Sequence, residues 1–500
     1  MKNYSKILSV FVMTALLAVS CELDRFPYDS IEQSQAFKTV KDATTLNNGL
    51  YAQLRGRLYG IFMFSTDVQA DLLNATGDYG NRNGFPHKWT GFLADDYTIR
   101  DTWSPYYGAL VNINNFIDNA DVIVPTTPAD SALMSRYMGE AYFLRAFYYH
   151  QLVQRWAKDY EPATAETDLG VPLVLKFDVT LLPSRATVKQ VYDQILDDLS
   201  DAKTYLANVA GAQNSAKITR DCVTALEAQV HLCMHNWTDA VTAADALITS
   251  GTYPLISNAA NFKSMWVNDG GTETIFQPFF SQPSELGNAN SIYLGFNSAL
   301  NKYVPDFVPQ QWVVDMYENT DIRKNAYLEQ KLLYIQGVNY PNIWLINKYP
   351  GNPALFTTAV TNYMHKPKVF RIAEMYLISA EAAAMTPATE GAALARLNEL
   401  RTARGISTLT GLTGTVLRDS IRVERTRELL CEGKRLDDLK RWNLGFTRTA
   451  PQNIGLIVSS PAEDFHTKTV AAGADKFVWG IPTRDITANP NIASQQNPGW

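Results

Sequence analysis

The sequence predicts a mainly α-helical protein, in which pairs of helices form the scaffold and loop-rich segments form a separate lobe. Two observations support this fold class. Apolar and small residues recur at spacings of three and four over several stretches, which is the period of an amphipathic helix. Two long segments lack that period and are rich in Asn, Gly, Pro and aromatic residues, a composition that favours loops.

Six segments carry the helical period. Residues 139–157 place Ala141, Leu144 and Tyr148 on one face of a helix. Thr187 is a candidate N-cap of the second segment, because its hydroxyl can accept a backbone hydrogen bond at a helix start. The six predicted helices are 139–157, 188–206, 218–235, 237–248, 370–384 and 390–404. The last four form two pairs with alanine at the packing positions, which is typical of tetratricopeptide-like repeats of about 34 residues.

The loop-rich segments span about 59–103 and about 252–367. The second separates two blocks of predicted helix pairs, which lie within about 130–250 and 368–445. Loops of this length in a compact protein are usually functional. We therefore expect residues 21–500 to form one domain, whose loop-rich lobe carries the functional surface.

The first residues are typical of a lipoprotein signal peptide. Lys2 and Lys6 precede an apolar run at 7–19, and small residues lead to Cys21. An apolar stretch of about 14 residues is shorter than the ~20 that a membrane-spanning helix needs. We expect cleavage after residue 20 and acylation of Cys21, which would tether the chain without crossing the bilayer. An ordinary cleaved signal with a chance cysteine is the alternative.

Composition excludes some classes of function. The formal net charge of −6 disfavours nucleic acid as the main partner, because phosphate binding needs a basic surface. Aromatic residues make up 11% of the chain and can provide stacking platforms for a ligand. Cys222 and Cys233 lie eleven residues apart in a predicted helix. That spacing places them about 16 Å apart, too far for a disulfide.

The sequence contains no nucleophile elbow, P-loop or dinucleotide fingerprint. Asp67, Asp71, Asp95 and Asp96 could form a glycosidase pair only if two of them met at about 5 to 9 Å. Glu227, His231 and His235 share one helix face, but zinc needs further ligands that the sequence does not offer nearby. We expect no catalytic residue, no metal and no cofactor.

A dense set of charges occupies residues 422–441. Opposite charges three and four residues apart pair with each other on a helix. Arginine also forms paired hydrogen bonds with carboxylates, which can hold an irregular tail in place. We interpret this cluster as structural rather than catalytic.

Four blocks resemble the SusD/RagB family of outer-membrane lipoproteins. The first is EAYFLRAFYY at 140–149, followed by GVPL at 170–173. RAT at 185–187, with Val191 and Tyr192, is similar to the start of a second family motif. The other two are the ER…REL…EG…R…DL…RW pattern within 421–442 and the tail, with IP at 481–482 and QNPGW at 496–500. The four occur in the family's order behind the predicted lipoprotein signal.

This resemblance implies a SusD-like helical fold with a loop-rich ligand-binding lobe, anchored by lipid on the outer face of the outer membrane. It implies a SusC-like TonB-dependent transporter as partner, with capture of oligosaccharides and their delivery to that transporter as the function. Oligopeptide binding by the same type of system is one alternative. A protein-interaction scaffold without a small ligand is another, since arrays of helix pairs often bind proteins.

Sugars present apolar faces and a rim of hydroxyl groups, so a binder needs flat rings beside amide, carboxylate or guanidinium groups. The first loop segment offers all of these between residues 78 and 89. The second adds further aromatic side chains. The candidate ligand-binding residues are Tyr79, Asn81, Arg82, Asn83, Phe85, Trp89, Trp266, Tyr293, Phe296, Tyr303 and Trp312. Trp103, Tyr107 and Asn115 resemble a family scaffold motif, and we expect them to be structural.

Overall fold

The computed structural model describes residues 37–458 and 465–500. The predicted signal peptide and Cys21 lie outside the described residues. The fold is mainly α-helical, as predicted, with a few small sheets. The helices are α1 (Val40–Arg55), α2 (Ile61–Gln69), α3 (Gly84–Lys88), α4 (Tyr97–Asn119), α5 (Pro128–Trp156), α6 (Val188–Tyr205), α7 (Arg220–Cys233), α8 (Trp237–Thr249), α9 (Ala259–Val267), α10 (Gln311–Asp315), α11 (Lys324–Tyr327), α12 (Ile372–Ala383), α13 (Glu390–Ala403), α14 (Gly414–Glu428), α15 (Arg435–Arg441) and α16 (Thr483–Ala488).

The strands are short apart from one hairpin. They are β1 (Leu73–Ala75), β2 (Leu169–Pro172), β3 (Arg185–Thr187), β4 (Thr274–Phe276), β5 (Phe296–Asn297), β6 (Lys302–Tyr303), β7 (Phe307–Pro309), β8 (Leu328–Ile335), β9 (Val338–Ile346), β10 (Phe370–Arg371), β11 (Phe446–Thr447) and β12 (Thr469–Val470). Four of them form one sheet in the order β5-β6-β8-β9, and the others pair as β1-β7, β2-β3, β10-β4 and β11-β12.

All six predicted helices are present, but some of them begin at other residues than predicted. The cap at Thr187 is confirmed, because its hydroxyl accepts a hydrogen bond from the backbone N–H of Gln190 at 3.2 Å. Helix α5 begins eleven residues earlier than predicted, at Pro128, a residue that suits the first helical turn. Helix α12 begins at Ile372, because Phe370 and Arg371 pair with β4 instead.

The predicted loop segments hold more regular structure than expected. Helix α2 lies inside the first one, and eight of its nine residues are buried. A helix that is buried on all sides has no polar face, so its sequence shows no amphipathic period. The second segment contains α9 to α11 and the four-stranded sheet.

Most of the buried apolar side chains belong to one cluster, which packs α1 and α4–α8 together with one face of α12. A second cluster lies beneath the loop-rich lobe and contains Trp266, Tyr293 and Tyr327. A smaller third cluster, around Leu333 and Ile335, lies beneath the four-stranded sheet. The loop-rich lobe therefore has an apolar core of its own, which holds its surface loops in place. Within the described ranges, no helix is both long and apolar enough to span a bilayer.

Candidate functional site

The short ladder between β1 and β7 positions the candidate site. Leu73 pairs with Pro309 and Ala75 with Phe307, in antiparallel register. The ladder continues past the strands, because the backbone N–H of Thr76 donates to the carbonyl of Asp306 at 2.9 Å. The loop that follows β1, residues 77–83, is thereby held against the second loop segment. This loop contains the first four candidate residues.

Arg82 connects this loop to the second segment. Its Nε donates to Asp306 Oδ2 at 2.8 Å, and its Nη2 donates to the other carboxylate oxygen. The hydrogen bonds that Arg82 donates to Asp306 raise the pKa of Arg82. The Arg82 side chain remains 61% exposed, whereas that of Asp306 is 8% exposed. The guanidinium is therefore fixed on one edge and open to a ligand on the rest of its surface.

The other three candidate residues in this loop differ in exposure. Asn81 is exposed, and its Oδ1 accepts a hydrogen bond from the hydroxyl of Tyr79 at 3.2 Å. Tyr79 itself is buried, with its ring against the edge of Phe307. Asn83 is buried too, and its side chain accepts a hydrogen bond from the hydroxyl of Tyr97 at 2.9 Å. Only Asn81 and Arg82 of these four present a polar side chain to solvent.

Phe85 lies on α3, and Trp89 directly follows the last residue of this helix. Phe85 is 38% exposed, and the ammonium of Lys88 lies 5.0 Å from its ring centroid. Trp89 is half-buried between Phe446 and Phe477. Its Nε1 donates to the carbonyl of Gln69 at 2.7 Å. Phe85 is thus available to a ligand, while Trp89 is largely used in packing.

Trp266 and Tyr293 are fully buried and offer no surface to a ligand. Trp266 is 1% exposed, and three cations lie near its ring: Lys348 at 4.3 Å, Lys368 at 5.2 Å and Arg371 at 5.2 Å. Tyr293 stacks on Tyr349 at 6.1 Å. The apolar stripe of Phe262, Met265 and Trp266 along α9 is the sequence pattern that indicates this burial.

The remaining candidates are half-buried. Phe296 and Tyr303 are register partners across β5 and β6, with ring centroids 5.2 Å apart. Tyr303 also pairs with Leu333 of β8, so the sheet holds its backbone on both sides. Trp312 donates from Nε1 to Gln310 Oε1 at 3.2 Å, and the guanidinium of Arg435 lies 5.9 Å from its ring.

A second contact brings the first loop to the sheet. The backbone N–H of Gln336, at the tip of the β8–β9 hairpin, donates to Asp78 Oδ2 at 2.8 Å. Asp306 lies three residues after Tyr303, and Arg82 binds it. The structure therefore joins Asn81 and Arg82 to the sheet that carries Phe296 and Tyr303, but it leaves Trp266 and Tyr293 in the core. The resulting surface offers the amide of Asn81 and the guanidinium of Arg82 beside the half-buried ring of Tyr303, which packs against the third apolar cluster.

The charged cluster of residues 422–441 is an internal ion-pair network, as its structural interpretation predicted. Glu428 accepts hydrogen bonds from Arg371 at 2.8 Å and from Arg404 at 2.9 Å. Although burial opposes ionisation, these guanidinium groups hold the pKa of Glu428 well below its usual range. Most partners lie far away in sequence. Among the described residues, the pairs within one helix turn are Arg422–Asp419, Arg427–Glu424 and Arg441–Asp438. The cluster joins α12, α13, α14 and the lobe.

Comparison with known proteins agrees with this architecture. A model of the SusD family matches residues 335–500, and a model described as starch-binding and associating with the outer membrane matches residues 23–232. The four sequence blocks described above fall inside these two regions. The chain belongs to the SusD family. The resemblance of its motifs to that family is thereby confirmed.

Two SusD-like relatives come from Formosa agariphila. SusD-like protein P38 is 25% identical, over 98% of this chain and 99% of its own length. SusD-like protein P2 is 24% identical and matches over the full length of both chains. The similarity therefore extends over nearly the whole length of each chain.

Solved structures of the SusD superfamily share the fold. A SusD superfamily protein from Bacteroides thetaiotaomicron has a TM-score of 0.78 at 22% identity, covering 92% of this chain and 100% of its own. A SusD-like carbohydrate binding protein from Bacteroides vulgatus has a TM-score of 0.73 at 21% identity, covering 91% of this chain and 97% of its own. At these identities the likeness concerns the fold alone.

Proposed function

We propose that this protein captures oligosaccharides at the cell surface and delivers them to a SusC-like TonB-dependent transporter of the outer membrane. The observation that carries the proposal is the Arg82–Asp306 pair, which fixes an exposed guanidinium and the neighbouring Asn81 beside the sheet that bears Phe296 and Tyr303. Rings accept the apolar face of a sugar, while amide and guanidinium groups bind its hydroxyls. Membership of the SusD family supports the same function.

The carboxylates that could have formed a glycosidase pair are all engaged in structural hydrogen bonds. Asp67 accepts from the backbone N–H groups of Gly433 and Arg435, at 2.7 and 3.3 Å. Asp71 binds the guanidinium of Arg435 through both oxygens, each at 2.8 Å. Asp95 and Asp96 accept from backbone N–H groups at helix starts. These contacts support a binding role without catalysis.

Delivery needs a membrane anchor and a pore. The anchor in this proposal is an acylated Cys21, which keeps the binding surface close to the outer membrane. A tethered binder raises the effective concentration of ligand at the mouth of a neighbouring transporter, because the second encounter becomes intramolecular. Binding near a SusC-like barrel therefore speeds uptake even though this chain has no energy source of its own.

The experiment is calorimetric titration of residues 22–500 with a panel of neutral and acidic oligosaccharides and a matched panel of peptides. Arg82→Ala and Tyr303→Ala should each weaken binding of the best oligosaccharide. Lys189→Gln, which removes an exposed charge on α6, is the control and should bind like the parent. Binding of peptides but of no oligosaccharide would favour the oligopeptide alternative, and binding of neither would favour an interaction scaffold.

A further inference from the structure

The four-stranded sheet has an outward face that the candidate residues do not include. Along β8, Leu333 and Ile335 point into the apolar core, and alternation places Gln330, Leu332 and Tyr334 on the opposite face. Leu332 is 45% exposed and Tyr334 is half-buried. This outward face of the sheet is an open surface with an aromatic ring at one end.

The partner strand adds a second ring to the same face. Trp344 lies opposite Gln330, and Asn339 lies opposite Tyr334. A register shift between these pairs adds one residue to β9, and Asn342 takes a left-handed conformation there (φ 60°). The shift keeps residues 339 and 344, an odd number of positions apart, on one face. Two half-buried aromatic rings therefore flank Leu332, and that of Trp344 also packs against the second apolar cluster.

Each of these rings has a lysine beside it. The Lys302 ammonium lies 4.4 Å from the ring centroid of Tyr334 and donates to Asn339 Oδ1 at 2.9 Å. A second ammonium, that of Lys324, lies 5.7 Å from the ring of Trp344 and donates to Asn319 Oδ1 at 2.7 Å. An amide oxygen orients an ammonium group without neutralising its charge.

In the part of the chain that the structure describes, neither Lys302 nor Lys324 forms an ion pair with a carboxylate. By contrast, Lys331 lies on the opposite face of β8 and pairs with Glu329 at 2.5 Å. The outward face thus combines two flat rings with two oriented positive charges, although the whole chain carries a net charge of −6.

We propose that this outward face binds an acidic oligosaccharide, with sugar rings against Tyr334 and Trp344 and carboxylate or sulfate groups beside Lys302 and Lys324. Tyr334 lies four positions after Gln330, the partner of Trp344, which corresponds to about 13 Å along a strand. A surface of that length can contact more than one sugar unit. The inference rests on the proposed function in requiring a glycan ligand, and it adds the charge of that ligand and a second binding surface.

The test is affinity electrophoresis of residues 22–500 in native gels that contain one polysaccharide each. Two matched pairs are used: polygalacturonate with its carboxyl-reduced form, and dextran sulfate with dextran. We expect at least one acidic member to retard the parent protein about tenfold more strongly than its neutral partner, as two exposed charge pairs would provide. The double variant Lys302→Gln/Lys324→Gln should abolish that preference. A preference for polygalacturonate indicates carboxylate recognition, and a preference for dextran sulfate indicates sulfate recognition.

Two controls make the result specific. Lys189→Gln with Lys203→Gln causes the same change in net charge on α6, where both lysines have carboxylate partners, and should retain the preference. Thermal unfolding of all variants checks that each is folded. Equal retardation by acidic and neutral members overturns the inference but leaves the proposed function standing. An acidic preference that survives the Lys302 and Lys324 changes also overturns it, and binding to no oligosaccharide in calorimetry contradicts both.

Discussion

The guanidinium of Arg82 donates to both carboxylate oxygens of Asp306, which lies 224 residues further along the chain. This pair closes the contact between the loop after β1 and the residue that immediately precedes β7. The Arg82 side chain is mostly exposed and the Asp306 carboxylate is mostly buried, so the pair contributes moderately to stability and fixes the shape of the proposed binding surface.

The first prediction concerns Arg82. Arg82→Ala should lower the free energy of unfolding by about 1–3 kcal/mol, because the buried Asp306 carboxylate loses its charge-assisted partner. It should weaken oligosaccharide binding by about tenfold, because a charge-assisted donor is lost. Chemical denaturation and calorimetry on the same preparation measure both values. A stability loss of this size with unchanged affinity would show that Arg82 only supports the fold.

The second prediction concerns Trp266. Trp266→Ala should lower the free energy of unfolding by about 3–5 kcal/mol, since it leaves a cavity among Lys348, Lys368 and Arg371. Protein that remains folded should bind the ligand with unchanged affinity, because the side chain is 1% exposed. Trp266→Phe is the milder comparison and should lose less stability. A large fall in affinity for folded Trp266→Phe would contradict this assignment.

The third prediction uses Asp67, whose pKa burial raises to about 7 although two backbone N–H groups oppose the shift. The unfolded carboxyl titrates near pH 4, so its folded-state pKa is the higher one. Its stabilising contribution is therefore complete below about pH 4 and is lost as the pH rises through about 7. Asp67→Asn should remove this loss, by up to about 4 kcal/mol.

Denaturant unfolding at pH 5 and pH 8 checks the prediction for Asp67. The parent should lose more stability between these two values than Asp67→Asn does. Carboxylates with lowered pKa values, such as Glu424 and Asp438, contribute equally in both proteins and cancel in the comparison. An identical change with pH in the two proteins would refute the role assigned to Asp67.

The fourth prediction concerns the anchor. Cys21→Ala should prevent acylation and release the protein from the membrane fraction while leaving its fold intact. Metabolic labelling with a fatty acid, followed by fractionation, measures both effects. The circular dichroism spectrum of the released protein should match that of the parent. Fatty-acid label that persists in the alanine variant would rule out Cys21 as the acylation site.

The fifth prediction concerns the transporter. Mild-detergent extraction of outer membranes, with capture of the native lipoprotein, should recover a large β-barrel protein in near-equal amount. Capture of Cys21→Ala from the soluble fraction is the control for non-specific recovery. Repeated isolation of the lipoprotein alone would count heavily against delivery to a SusC-like partner.

Local patterns in the sequence were enough to predict the helix pairs. In α7 and α8, alanines such as Ala225, Ala228 and Ala244 repeat at helical spacing and are all buried. Helix α2 was missed because burial on every side removes the polar face that makes a helix recognisable. Trp266 was misassigned for a different reason: its segment has the composition of a loop, whereas the stripe that it forms with Phe262 and Met265 on α9 places it in the core.

The candidate site was predictable only in part. The loop composition around residues 78–89 pointed to Asn81, Arg82 and Phe85, which do reach the surface. The pairing of Arg82 with Asp306 is set by the β1–β7 ladder, and nothing local in the sequence encodes a contact across that distance. Tyr334 and Trp344 could not be grouped from the sequence, because only the strand register shows that they share a face.

The β1–β7 ladder also has a consequence for the rate of binding. Because backbone hydrogen bonds and the Arg82–Asp306 pair already hold the loop against the second segment, the protein has little left to order when a ligand arrives. Association should then follow a single exponential whose observed rate rises linearly with ligand concentration, without the plateau that a preceding rearrangement imposes. Differences in affinity among related sugars should accordingly arise from how long each one stays bound.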